Sequence, residues 1–257
     1  MNSSKNIRKS LESLYSQDFK NFEHIIQDGK SKDETIQIIK SFQDERTKFR
    51  SEKDKGLYYA LNKAIKRSTG EYLILLHSDD ILFDKYTLKK VFNFIKTNNS
   101  PKIVLTGVQY INNDGKVLRK WLPSLPSRRK INTGWMAPHT GIILKRNVIN
   151  KMRFYDTRFK IAADYDYEIS LFNLFMDDSL NSNFFLTKML IGGVSNSGFK
   201  SKINKTFEDI EVMKKNGINP FIGIILKNAR KIPQIFNFDF SNIKNKFIKK
   251  RINFNIK

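Results

Sequence analysis

Apolar residues recur along this chain at two spacings. Ile7, Leu11 and Leu14 fall at i, i+4 and i+7, which predicts an amphipathic helix over residues 6–14 with Ser3 or Ser4 as N-cap. The short apolar stretch Phe22 to Ile26 runs into Gln27-Asp28-Gly29, a strand followed by a turn. Ile36, Ile39 and Phe42 restore helical spacing over 34–42, and Leu57 to Ile65 forms a further helix opened by Lys55-Gly56. Tyr72 to Leu76 is a continuous apolar run, as expected for a strand buried on both faces, and it ends in His77-Ser78-Asp79-Asp80. Helix follows over 88–95 and strand over 103–105. Residues 112–135 read as a hairpin at Asn113-Asp114-Gly115 and then a loop with Arg128-Arg129-Lys130; strand follows over 141–144 and helix over 165–175. Strands alternating with helices of this length predict an α/β fold of βαβ units with a parallel sheet.

After Gly192-Gly193 the character changes. Residues 227–257 hold nine Lys or Arg against Asp239, interleaved with Ile232, Ile235, Phe236, Phe238, Phe240, Phe247, Ile248 and Phe254. The pattern predicts a basic, amphipathic helical extension over 216–257, behind a domain of residues 1–215, and such an extension suits an anionic membrane surface. No apolar run approaches the ~18 residues of a membrane span, and the start carries charges at helical spacing unlike a secretory leader. The expected location is cytoplasmic, peripheral at the inner face of the plasma membrane.

Composition narrows the chemistry. The 257 residues are 40% hydrophobic and 12% aromatic, enough for a packed core rather than disorder. The absence of cysteine excludes disulfides, thiol nucleophiles and thiolate zinc sites. A net charge of +22 points to anionic partners, but most of it is Lys, a point charge rather than a bidentate reader of bases. Nucleic acid is disfavoured on that ground.

In open parallel sheets, ligands bind beyond the carboxyl ends of the strands. Asp28 follows one predicted strand and Asp79-Asp80 another. Adjacent carboxylates repel unless a cation or donor compensates, and a divalent metal shared with a diphosphate is one such compensation; a solvated loop or helix cap is the alternative. Asp164, with Asp166 and Glu168 behind it, opens a predicted helix, where capping is again the ordinary use. Trp121 and Trp135 suit sugar stacking or core packing alike.

The segments Lys53-Asp54-Lys55-Gly56-Leu57-Tyr58-Tyr59-Ala60-Leu61-Asn62-Lys63-Ala64, Thr69-Gly70-Glu71-Tyr72 and His77-Ser78-Asp79-Asp80 resemble the nucleotide-binding half of family 2 glycosyltransferases. Asn21-Phe22-Glu23 with Asp28-Gly29-Lys30-Ser31-Lys32-Asp33 is similar to that family's second strand and acidic turn. Asp156 to Phe159 followed by Ile161-Ala162-Ala163-Asp164-Tyr165-Asp166-Tyr167-Glu168 resembles its acceptor-side motif, and Gly192-Gly193-Val194-Ser195 a segment of polysaccharide-assembly members. The similarity spans roughly residues 2 to 215, with four motifs in family order.

The resemblance implies a GT-A, Rossmann-like α/β fold with a mixed, mainly parallel sheet flanked by helices, a nucleotide-binding half over about 1–110 and an acceptor half over about 111–215. It implies an inverting, metal-dependent transfer from a nucleotide diphosphate sugar to a glycan or lipid-linked acceptor in cell-surface polysaccharide synthesis. Asp28, Asp54 and Asp79 then bind the nucleotide sugar, Asp79 and Asp80 hold Mn²⁺ or Mg²⁺, Asp164 is the general base, and His139 and Asp166 are acceptor-side candidates. Direct displacement needs one carboxylate to deprotonate the acceptor and a neutralised leaving diphosphate opposite. Two departures stand out. Met1-Asn2 falls where the family's central first strand has already ended, and His77 replaces the first Asp of the acidic motif. The alternative reading is a catalytically impaired, basic membrane-associated binding protein on the same fold.

Overall fold

The computed structural model describes residues 1–190 and 199–235. The Gly192-to-Ser195 segment and residues 236–257 of the basic extension lie outside the described residues.

Helix α1 (Ser4–Tyr15) buries Ile7, Leu11 and Leu14 on one stripe, as its spacing dictates. It is followed by β1 (His24–Asp28), α2 (Thr35–Ser41), β2 (Thr47–Ser51), α3 (Leu57–Arg67), β3 (Tyr72–Leu73), β4 (Asp80–Leu82) and α4 (Thr87–Thr97). The second half comprises β5 (Ile103–Ile111), β6 (Val117–Trp121), α5 (Arg128–Ile131), β7 (Ile142–Lys145), α6 (Arg146–Ile149), α7 (Ala163–Phe175), β8 (Ser179–Leu190), α8 (Phe199–Lys215), α9 (Pro220–Ala229) and α10 (Ile232–Ile235).

The strands form two sheets. β1 and β2 pair in parallel, from His24 opposite Thr47 to Asp28 opposite Ser51. The larger sheet runs β3-β7-β5-β8-β4, with β6 also on β5. The predicted mixed sheet is present; β1–β2 and β5–β8 are its parallel pairs, and the other described pairs are antiparallel. β5 is the spine. Its successive side chains alternate faces, so Ile103 and Leu105 enter the main core with Leu144, Tyr165 and Phe172, while Val104 joins Leu14, Leu82, Val91 and Leu186 on the other side. Each such fully buried aliphatic contributes roughly 1.5–3 kcal/mol. A third cluster, Ile7, Leu11, Ile38 and Ile39, covers the small sheet at Ile26 and Phe49.

Several elements differ from the sequence expectation. The first strand lies two residues later than Phe22 to Ile26, because Phe22 instead packs on the second cluster beneath Arg46. β2 and β8 were not expected; Thr47–Ser51 alternates polar residues at a half-covered edge, and periodicity alone does not reveal it. Of the run 72–76, only Tyr72 and Leu73 enter a ladder.

The two sheets are not joined. Among the described residues, the backbone groups of Ile74, Leu75 and Leu76 make no hydrogen bond. At the entry to both sheets, Glu23 accepts from Thr69 N (2.5 Å) and Gly70 N (2.7 Å), which holds the start of β1 beside the start of β3. At the far end Asn2 N donates to Ser31 Oγ (2.8 Å) and Ser78 Oγ to Ser3 Oγ (2.9 Å). The two sheets therefore share no ladder; α1 packs through Leu14 into the cluster with Ile74 and Leu76, and α3 through Tyr58 and Ile65 into that with Leu73 and Leu75.

Candidate active site

The carboxyl ends of β1 and of the run 72–76 bring three acidic positions to one edge. Asp28 is buried, and its oxygens are already engaged: Ser31 N (2.8 Å) and Ser51 Oγ (2.6 Å) donate to Oδ2, and Ser31 Oγ (2.5 Å) to Oδ1. Burial alone raises its pKa, but these hydrogen bonds outweigh it and hold the carboxylate below its usual range. Asp28 thus fixes the turn that follows β1. Asp54 accepts from Gly56 N (2.9 Å) and leans on the same turn; a Cβ on Gly29 would stand 2.6 Å from Asp54 Oδ2. A side chain at position 29 would have to displace the Asp54 carboxylate.

Asp79 and Asp80 close the tight turn after His77, where Asp80 N donates to His77 O (3.1 Å). Asp79 is half-buried. Asp80 is buried behind it and is pushed up to about 8 by burial and then by Asp79. A carboxyl pair in which burial and mutual repulsion disfavour charge is a donor set that a divalent cation stabilises. Among the described residues no three Asp, Glu or His side chains converge into a metal site.

Across the edge, α7 presents Asp164. Tyr58 Oη donates to its Oδ1 at 3.3 Å and to Ile161 O at 2.8 Å. Burial would neutralise this carboxyl, yet the charges of Lys205 and Lys227 and a hydrogen bond from Tyr165 N (2.8 Å) outweigh it and keep Asp164 below its usual range. His139 stands between the two acidic positions. Its Nε2 pairs with Tyr155 Oη at 2.7 Å, its ring lies 5.9 Å from that of His77, and burial lowers its pKa to about 4, which leaves the imidazole neutral. Tyr155 stacks on Tyr167 at 4.4 Å and packs on Tyr58 at 5.5 Å, an aromatic wall behind the histidine.

Two residues on from Asp164, Asp166 points the other way. Its carboxylate takes Arg153 Nη2 (2.6 Å), Lys215 Nζ (3.0 Å) and Asn216 Nδ2 (3.1 Å), so the expectation that it faces the acceptor is corrected: it ties α7 to α8. Trp135 packs edge-on against Phe172 in the core, and Arg128 and Lys130 bond Asn173 and Ser124 rather than the cleft.

Glu168, read in the sequence only as part of an acidic helix start, lies one turn after Asp164; Oε2 accepts from Ala137 N (2.8 Å), Oε1 has no partner among the described residues, and burial and then Asp164 push its pKa well up. The i, i+4 spacing from Asp164 was the signal for its closeness to that residue. Sequence reasoning missed Glu208. Glu208, on α8, accepts from three successive backbone donors, Lys160 N (3.1 Å), Ile161 N (2.8 Å) and Ala162 N (2.9 Å), at the entry to α7. Nothing local in the sequence announces that contact.

The family profile described as Glycosyl transferase family 2 matches residues 1–180. An uncharacterized glycosyltransferase of Methanocaldococcus jannaschii is 28% identical over 173 residues, covering 64% of this chain and 59% of its own length. The PGL/p-HBAD biosynthesis glycosyltransferase of Mycobacterium tuberculosis is 25% identical over 237 residues, covering 88% of this chain and 86% of its own. Among solved structures, residues 1–349 of S. aureus TarS superpose with a TM-score of 0.61 at 21% identity, over 94% of this chain and 71% of that one. The same protein has been solved with UDP and with UDP-GlcNAc.

Proposed function

The chain belongs to glycosyl transferase family 2 and is a glycosyltransferase of GT-A fold, and from that premise we propose that it transfers a sugar, with inversion, from a nucleotide diphosphate sugar to a hydroxyl of a glycan or lipid-linked acceptor. The observation that carries this reading is that Asp164 and Asp79 both lie close enough to act on His77, whose ring stands 5.9 Å from that of neutral His139.

In the proposed reaction the acceptor oxygen forms a bond to the anomeric carbon as the bond to the diphosphate oxygen breaks. The acceptor proton goes to Asp164. Lys205 and Tyr58 hold that carboxylate charged and oriented. His139, oriented by Tyr155, hydrogen-bonds the acceptor hydroxyl. The turns fixed by Asp28 and Asp54 receive the nucleoside, and Asp79 faces the ribose and diphosphate. Asp79 and Asp80 would hold Mn²⁺ or Mg²⁺, which supplies neutralisation of the departing diphosphate. In this reading residues 1–215 are the catalytic domain, in donor and acceptor halves of about 1–110 and 111–215. Residues 216–257 extend it toward the inner face of the plasma membrane, where lipid-linked acceptors reside and surface polysaccharide is assembled. No helix among the described residues is long and apolar enough to cross a membrane.

Screening nucleotide sugars for hydrolysis and transfer, with and without Mn²⁺ or Mg²⁺ and beginning with UDP-GlcNAc, tests the reading. Metal-stimulated turnover of one donor is expected. Asp79→Asn should weaken metal-dependent UDP binding in calorimetry by at least the roughly 10–100-fold that loss of an outer partner of a metal ligand costs. Unchanged affinity with metal present would remove Asp79 from the donor site.

A further inference from the structure

Helix α9 is turned inside out. Phe221 (77% exposed), Ile222 (46%), Ile225 (51%) and Leu226 (36%) occupy one outward arc, at the i, i+1, i+4 and i+5 positions of a single face. The charged residue of the helix, Lys227, points inward; its Nζ bonds Asp209 Oδ1 at 2.8 Å and lies 3.5 Å from the ring centroid of Tyr165. The inner face is closely packed. A Cβ on Gly223 would stand 2.6 Å from the flexible end of Met213, and the Gly223 carbonyl lies as close to a Cβ on Gly134, where backbone meets backbone. Turning the apolar arc inward would also leave Asp209 buried without its cation. The orientation is therefore fixed by packing, and it delivers the apolar side chains outward.

The exposure continues beyond α9. α8 runs antiparallel to it, with Asp209 beside Lys227 and Met213 beside Gly223, and carries Ile203 (39%) and Phe207 (65%) on one face; Ile232 on α10 is 56% exposed. Clustered apolar exposure on this scale marks a surface that meets something other than water. The surroundings are basic. Arg230 donates to Thr133 O (2.5 Å) and Thr133 Oγ1 (2.6 Å), which brings the exposed Arg128 and Arg129 of α5 to the same edge, and Lys214 is exposed on α8. Of the nearby acids, Asp209 and Glu208 are engaged internally, and Glu211 is exposed on α8, outnumbered by these cations. The sequence adds Lys244, Lys246, Lys249, Lys250, Arg251 and Lys257 immediately downstream.

We infer that the outer face of α9, extended by Phe207 and Ile232, is a lipid-facing surface that seats the enzyme on an anionic bilayer. The Phe and Ile side chains enter the boundary between headgroups and acyl chains, and the Lys and Arg around them meet the headgroup phosphates. Charge selects this occupant over a second copy of the chain, since two copies each carry +22. The inference deepens the reading above by placing the contact with a lipid-linked acceptor's membrane on α9 rather than on the basic tail alone.

Co-sedimentation of the full chain with phosphatidylcholine vesicles, with and without phosphatidylglycerol, tests it. The full chain should sediment with the anionic vesicles, less so at high salt, and not with phosphatidylcholine alone. Phe221→Ser with Ile225→Ser should lower partitioning by about tenfold or more, as two lost apolar insertions imply, while circular dichroism and UDP calorimetry stay unchanged. Phe221→Trp guards against a variant that fails to fold: its fluorescence should shift to the blue with anionic vesicles and be quenched by brominated lipid. The inference is overturned if the full chain ignores anionic vesicles, or if the emission of the Phe221→Trp variant does not move. It is equally overturned if the double variant binds normally while a chain ended at residue 235 does not, or if equilibrium sedimentation shows a dimer that the double variant dissolves. UDP binding and vesicle binding are read separately, so loss of the first sinks the donor-site reading and leaves this one standing.

Discussion

Asp164 and Asp166 stand two positions apart on the same helix and have opposite fates. A step of two residues rotates a helix by about 200°, so one carboxylate faces the cleft and the other meets Arg153 and Lys215. Replacing Asp164 by Asn keeps the shape and removes the proposed base. Donor binding should persist while transfer falls by ~10²–10⁴, the usual contribution of general base catalysis. Near-normal turnover would assign the proton to another group. The pH dependence follows from the lowered pKa of Asp164. In the proposed mechanism the active form is ionised, so activity is full above that pKa and is lost as pH falls through it. Because Lys205 and Lys227 hold it below the ordinary 3.8, the acidic limb of kcat/KM that belongs to Asp164 should lie below about pH 4. A limb near pH 6 would point to a different base.

At the scale of elements, the entry to α7 depends on α8. The first turn of any helix leaves backbone N–H groups without partners. Here Glu208 reaches in from a helix far along the chain and takes the donors of Lys160, Ile161 and Ala162, just ahead of Asp164. Glu208→Ala should destabilise the fold by about 1–3 kcal/mol, the cost of leaving buried donors unpaired, and should speed amide exchange over 160–164. Glu208→Gln keeps an acceptor oxygen and should lose less. Denaturant unfolding and hydrogen exchange measure both. Unchanged exchange in the alanine variant would mean that α7 holds its own entry. Since the same segment carries the base, transfer should fall with the loss of protection.

For the whole molecule, the two sheets share no ladder. The run Ile74 to Leu76 is apolar enough for a sheet interior, yet its backbone makes no hydrogen bond among the described residues, and its side chains are only half-buried. A β-rich segment joined ahead of Met1 should therefore raise stability by pairing with this run. Three new hydrogen bonds at ~1 kcal/mol each correspond to about 6–12 °C in Tm for a protein of this size. Equal melting temperatures with and without the added segment would show that the run takes no further strand. The helices with an apolar stripe, such as α1 and α4, were legible in the sequence, as were the acidic residues at strand ends, because periodicity and turn chemistry are local properties that each segment carries by itself. The sequence also determined the family, through short motifs in order. Other features were decided only by tertiary packing. Polar β2 becomes a strand because β1 offers it a ladder. Asp28 turns from a free ligand into the fastener of its own loop because Ser51 arrives from the neighbouring strand. Lys227 goes inward and Phe221 outward because Asp209 and Gly134 wait on the inner side of α9. In each case the deciding partner lies far away in sequence, and a pattern read along the chain carries no record of what the fold sets beside it.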